Sequence, residues 1–158
     1  MASVIFSGMM ISLRLKKRRE FLSEIPLFIS QVSMEIEFVS LPVLEILRKI
    51  EAGECCKNLD FIAICLENTQ LGEDFFYSWK KGVSDSRLPM KKEEREKLEN
   101  LGGMLGTSDV SGQRAMLSLY KSYFSAFYDR AVQEYDKYGK MIVTLSVVTG
   151  TGIFILII

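Results

Sequence analysis

Met141 to Ile158 (MIVTLSVVTGTGIFILII) runs for 18 residues without a charge, and no other feature constrains this chain as tightly. As a helix the run measures about 27 Å, against a hydrocarbon layer of about 30 Å. A helix packed on a water-facing body would keep a polar side; this run has none and closes on six apolar residues. It predicts a transmembrane helix, with Lys137 and Lys140 at its polar edge and Tyr135 and Tyr138 at interfacial depth.

The other end is shorter. Ala2 to Leu13 carries no charge, but about 18 Å of helix does not span a bilayer. Arg14, Lys16, Lys17, Arg18 and Arg19 follow. A secretory signal would place its charges before the apolar stretch, not after it. Two readings remain: an interfacial anchor, or the second half of a spanning helix that starts upstream. The second is the expectation. Five cations beside a membrane segment mark the cytoplasmic side, so the middle is expected in the cytosol and both termini on the far face. Gly8 and Ser12 are four apart, as are Ser146 and Gly150, a spacing that lets membrane helices approach closely. The chain therefore divides into a partial membrane segment with its basic flank (1–19), a cytosolic helical bundle (20–138) and a membrane helix (139–158).

Composition removes several functions. Lys+Arg and Asp+Glu are equal at 20 each, so the basic excess that drives nucleic-acid binding is missing. Histidine is absent, which removes Ser-His-Asp, Cys-His and HExxH chemistry. Cys55, Cys56 and Cys65 are odd in number and form no CxxC, so they read as small apolar residues in a reducing compartment. Gly102, Gly103 and Gly106 lack the Lys-Ser/Thr of a phosphate loop. No catalytic residue, metal site or cofactor is expected.

The middle reads as helices, with no useful strand alternation. Ile25, Phe28, Ile29, Val32, Ile36 and Val39 form an amphipathic stripe over Ser23–Ser40, with Pro26 in its first turn. Ser40 is expected to cap a second helix that ends at Gly53, a third stops at Gly72, and a fourth, with Phe75, Phe76 and Trp79, stops at Gly82. Val83–Pro89 reads as a loop. A fifth helix starts at Met90; its run KKEEREK reads as a solvated face with Glu93–Lys97 and Lys92–Glu96 pairs. Ser108 or Asp109 caps a sixth, which is expected to continue toward the apolar run with Gly139 as the one candidate hinge. Met116, Tyr120 and Phe124 form one row on it, and Leu119, Tyr123, Phe127 and Ala131 the next, a wide face for a bundle centre. Glu35 stands at the margin of the first stripe, as a buried ion-pair partner, a contact for another protein, or a boundary residue reaching water.

Four stretches together resemble the stage III sporulation protein AB family: SGMMISLRLKKRREFL; SMEIEFVSLPVLEIL, with Glu35, Ile36, Leu41, Pro42 and Leu44; LGGMLGTSDVSGQ, with Leu101, Gly102, Leu105, Gly106, Ser108, Asp109 and Gln113; and YGKM leading into an apolar tail, with Tyr138, Gly139, Lys140 and Gly150. The sequence departs from the family in having about half of its first spanning helix. The resemblance implies an all-α fold, a six-helix cytosolic bundle similar to those of the platform proteins of type II secretion and type IV pilus machines. It also implies a non-enzymatic platform in the mother-cell membrane facing the forespore. That platform would dock a secretion-type ATPase of the same operon, touch other membrane components of the channel and the lipid bilayer, and leave self-association open. Glu35, Gly106, Asp109 and Gln113 are the expected partner contacts. The rival readings are a platform subunit of another secretion or pilus system, a thiol-based membrane sensor, and an adaptor with no link to secretion.

Overall fold

The computed structural model describes residues 2–39, 41–53, 56–105 and 110–139. These form six α-helices: α1 (Ala2–Phe38), α2 (Val43–Ala52), α3 (Asp60–Gln70), α4 (Phe75–Asp85), α5 (Lys92–Met104) and α6 (Val110–Glu134). A π-helical turn, Tyr135–Gly139, continues α6. The all-helical expectation holds among the described residues. Among them no helix is long and apolar enough to cross a membrane. The run from Met141 to Ile158 lies outside the described residues, as do Ser40, Cys55, Gly106, Ser108 and Asp109.

Helix α1 is one piece. The expected start at Ser23 is wrong: the apolar N-terminal segment, the basic cluster and the first bundle helix form a single rod of about 55 Å. Pro26 consequently lies inside the helix, not in its first turn. Proline costs a helix interior about 3 kcal/mol, because it cannot donate to the carbonyl of Leu22. Phe21, Leu22, Ile25, Phe28, Ile29 and Val32 are all buried around it. At about 1.5–3 kcal/mol for each large apolar side chain, their burial outweighs the proline.

Helix α6 runs antiparallel along α1, and theirs is the most extensive helix contact among the described residues. Arg19 lies over the Tyr135 ring at one end, and Arg114 pairs with Glu37 at 3.0 Å at the other. Gln113, Leu117, Tyr120, Phe124, Phe127 and Ala131 face the core. This stripe is narrower than the two expected rows: Leu119 and Tyr123 are exposed. The π turn carries α6 on to the candidate hinge Gly139, and the expected entry into the apolar run lies outside the described residues.

The remaining helices wrap this pair around Trp79. The ring of Trp79 sits among Phe28, Phe61 and Phe75, with centroids 5.3–6.2 Å away, and its indole N–H donates to the Leu98 carbonyl at 2.8 Å. Two glycines permit this packing. A Cβ on Gly102 would fall 2.1 Å from a Trp79 ring carbon, and one on Gly82 would fall 2.6 Å from the Phe61 carbonyl oxygen. Gly82 is therefore a crossing point between α3 and α4, and α4 continues past it to Asp85 instead of stopping there. The connection to α5 is accordingly Ser86–Lys91, shorter and later than Val83–Pro89. Helix α5 opens at Lys92, two residues after the expected Met90. At α2 the N-cap position is Pro42, whose carbonyl accepts from Glu45 and Ile46. Gly53 closes α2 as expected, and Gly72, at φ 93°, turns the chain after α3.

Candidate functional site

The bundle presents two ends with different chemistry. At one end α1 projects an apolar arm. Met9, Met10, Ile11 and Leu13 are between 47% and 60% exposed, although each is large and apolar. Large apolar side chains this exposed, close together along one helix, are the feature that most needs a partner surface.

Directly behind the arm, a buried charge network locks α1 to α5 and α6. Arg18 reaches both oxygens of Glu94, its Nε lying 3.3 Å from Oε2, and it also pairs with Glu134. Lys91 pairs with Glu134 from the other side. Glu94 is 1% exposed, and it also accepts the Lys91 backbone N–H at 2.8 Å, satisfying the first turn of α5. Burial works against the Arg18 charge, yet Glu94 and Glu134 together hold its pKa above the ordinary guanidinium value. Partial burial would raise Glu134, but Lys91 and Arg18 outweigh it and hold the carboxyl below the ordinary glutamate range. Removing one partner of such a buried pair typically costs about 3–5 kcal/mol, because the survivor is left charged and desolvated.

The basic cluster thus splits into an inner and an outer set. Arg18 is spent in the network and Arg19 on Tyr135, while Lys16 meets Glu20 at 3.8 Å on the surface. Arg14 and Lys17 instead line a groove with Arg87. The run KKEEREK splits the same way. Lys92–Glu96 is the exposed pair expected at 3.8 Å, but Glu93 turns to Arg130 at 3.9 Å, and Lys97 lies over the Tyr123 ring. Glu94 is inside, which corrects the reading of this run as a solvated face.

Of the four expected partner residues, Glu35 and Gln113 lie at the far end, and Gly106 and Asp109 lie outside the described residues. Glu35 points across to α2 and pairs with Lys49; its side chain is 19% exposed, and its second oxygen is buried without a hydrogen bond. The structure shows an ion pair, with its lysine exposed and not buried. Gln113 is buried near the start of α6, beside Arg114, which pairs with Glu37 on the last turn of α1. Glu35 and Gln113 therefore share one end of the α1–α6 pair. Gly102 and Gly103 receive Trp79 and Phe76, respectively, so this part of the LGGMLGTSD stretch has a packing duty. Of the proposed membrane-packing residues, Ser12 is half-buried on α1 and Gly8 lies in the same helix; Ser146 and Gly150 are outside the described residues.

The two described thiols, Cys56 and Cys65, are both buried. Cys65 is buried and its pKa is pushed up to about 12 by desolvation, the opposite of what a nucleophile needs. No group of three or more carboxylates or thiols converges on a cation position among the described residues.

These features define an all-helical bundle protein whose longest helix extends into an exposed apolar arm, clamped at its base by buried charges. The chain belongs to the stage III sporulation protein AB family, whose model matches residues 1–158. Its role accordingly lies in stage III of sporulation. No curated protein and no solved structure matches it significantly.

Proposed function

We propose that the chain is a non-enzymatic platform of the mother-cell membrane facing the forespore, docking a secretion-type ATPase in the channel between the two cells. One observation carries this reading: the exposed apolar arm and the core helix are the same helix, held by Arg18, Glu94 and Glu134 at the junction. An anchor joined by a flexible linker would dissipate displacement, whereas a continuous helix passes it into the bundle. The arm, the basic residues behind it and the apolar run Met141–Ile158 supply the contact with lipid. The far end, with Glu35 and Gln113, supplies the surface for the ATPase, and Gly106 and Asp109 are assigned to the same contact. This assignment leaves the chain without a catalytic task; it holds and transmits.

Charge reversal at Glu35 and Asp109, followed by co-purification of the ATPase, tests the docking surface. Reduced recovery with an intact helical spectrum is the expected result. Because Glu35 also pairs with Lys49, the exchange Glu35→Lys with Lys49→Glu is measured in parallel. Recovery that stays at the wild-type level in every variant refutes the docking assignment. Recovery restored by the exchange reassigns Glu35 to an internal tie and leaves Asp109 as the contact.

A further inference from the structure

The groove lined by Arg14, Lys17 and Arg87 belongs neither to the buried charge network nor to the far end. Its volume is about 520 Å³, and Met10, Ile11, Leu13, Leu88 and Pro89 complete its lining. No carboxylate lines it. Arg14 and Lys17 lie three residues apart on α1, and Arg87 comes from the α4–α5 connection, 70 residues further along the chain from Lys17. None of the three takes part in an ion pair among the described residues, in contrast to Arg18 in the same cluster. The connection is itself fixed. Asp60 accepts the Ser86 hydroxyl at 2.5 Å and the Arg87 backbone N–H at 2.9 Å, and the Ser86 hydroxyl accepts the Leu88 N–H at 3.2 Å. The Arg87 guanidinium is left to the groove.

We propose that this groove binds the headgroup of an anionic phospholipid and so rests the α4–α5 connection on the bilayer surface as a second point of contact. The occupant follows from the order of chemistry along α1. Exposed apolar residues (Met9, Met10, Ile11, Leu13) come first, and unpaired cations (Arg14, Lys17) follow within about one turn. From Met10 to Lys17 is about 10 Å of helix, enough to pass from the acyl boundary through one headgroup layer. Three cations without a carboxylate complement a phosphate diester, and Leu88 and Pro89 give the connection an apolar edge to set against the lipid. An acidic protein would meet the same cations but would leave Met9–Leu13 in water. The inference rests on the membrane-anchored reading and goes beyond it: the groove sets the orientation of the bundle against the bilayer, not only its attachment.

The test uses the full chain in lipid discs of phosphatidylcholine, alone or mixed with phosphatidylglycerol, with brominated lipid as quencher. Leu88→Trp reports on the connection, Ser84→Trp is a second reporter one turn earlier, and Leu71→Trp, exposed at the turn after α3, is the distant control. Trp79 is fully buried and gives a constant background. The expected result is quenching at 88 and 84 but not at 71, in anionic discs only. Arg87→Gln should weaken the dependence on phosphatidylglycerol about fivefold, and the combined Arg14→Gln, Lys17→Gln, Arg87→Gln variant should abolish it. Equal quenching in neutral discs, or no effect of the combined variant, overturns the groove. Flotation of the same discs reads anchoring separately. A chain that floats without quenching at 88 refutes the groove alone; a chain that does not float refutes the anchor, and the groove with it.

Discussion

Gly102 shows what a single missing side chain does here. The indole of Trp79 occupies the space where a Cβ would stand, and its N–H reaches the Leu98 carbonyl one turn earlier on α5. Gly102→Ala forces the ring away from both Phe61 and that carbonyl. Overpacking of a filled core costs about 1–3 kcal/mol, and an unsatisfied indole N–H adds to it. We expect Gly102→Ala to lower the urea midpoint by an amount in or above that range. Gly103→Ala, where the Cβ meets only the edge of exposed Phe76 at 3.1 Å, should cost much less. Equal costs at the two positions would contradict the role of Trp79. Gly102 also carried part of the family resemblance, and its packing against Trp79 accounts for a glycine there.

The Arg18–Glu94–Glu134–Lys91 network belongs to three elements at once, since it ties α1, the start of α5 and the end of α6. Its pH dependence follows from Glu134. The folded state holds this carboxyl below the ordinary glutamate pKa, so its stabilising contribution is complete above about pH 4.3 and fades as pH falls through the lowered folded value. Glu134→Gln should therefore lose stability at neutral pH and show a flatter acid limb in urea titrations between neutral pH and about pH 3. Parallel curves for wild type and variant would remove Glu134 from the network. The elements were legible in the sequence wherever apolar residues kept helical spacing: Ile25–Ile36, Ile46–Ile50, Leu98–Leu105. The network was hidden because charges were read as surface. Its signal was nevertheless present in spacing. Arg18 stands in line with Leu22, Ile25 and Ile29; Glu94 with Leu98 and Leu101; Glu134 with Phe127 and Ala131. Three charged residues, each on the apolar stripe of its own helix, predict one another.

At the scale of the whole molecule, the all-helical class of the described residues was readable, but the joints were not. Gly82 and Pro26 act as breakers in a local reading; both lie inside helices because tertiary packing outweighs propensity. The groove at Arg87 was beyond reach for a different reason, as it exists only once the α4–α5 connection comes back to the base of the arm. Because Ala2–Phe38 is one helix, that arm is mounted like a keyed shaft: its angle, not only its reach, is inherited from the core. One alanine inserted after Leu13 swings Met9–Leu13 by about 100° around the helix axis, whereas four bring them back to within about 40°. Spore yield in strains carrying one to four inserted alanines should thus fall and then recover, and a steady decline would mean that the mounting slips.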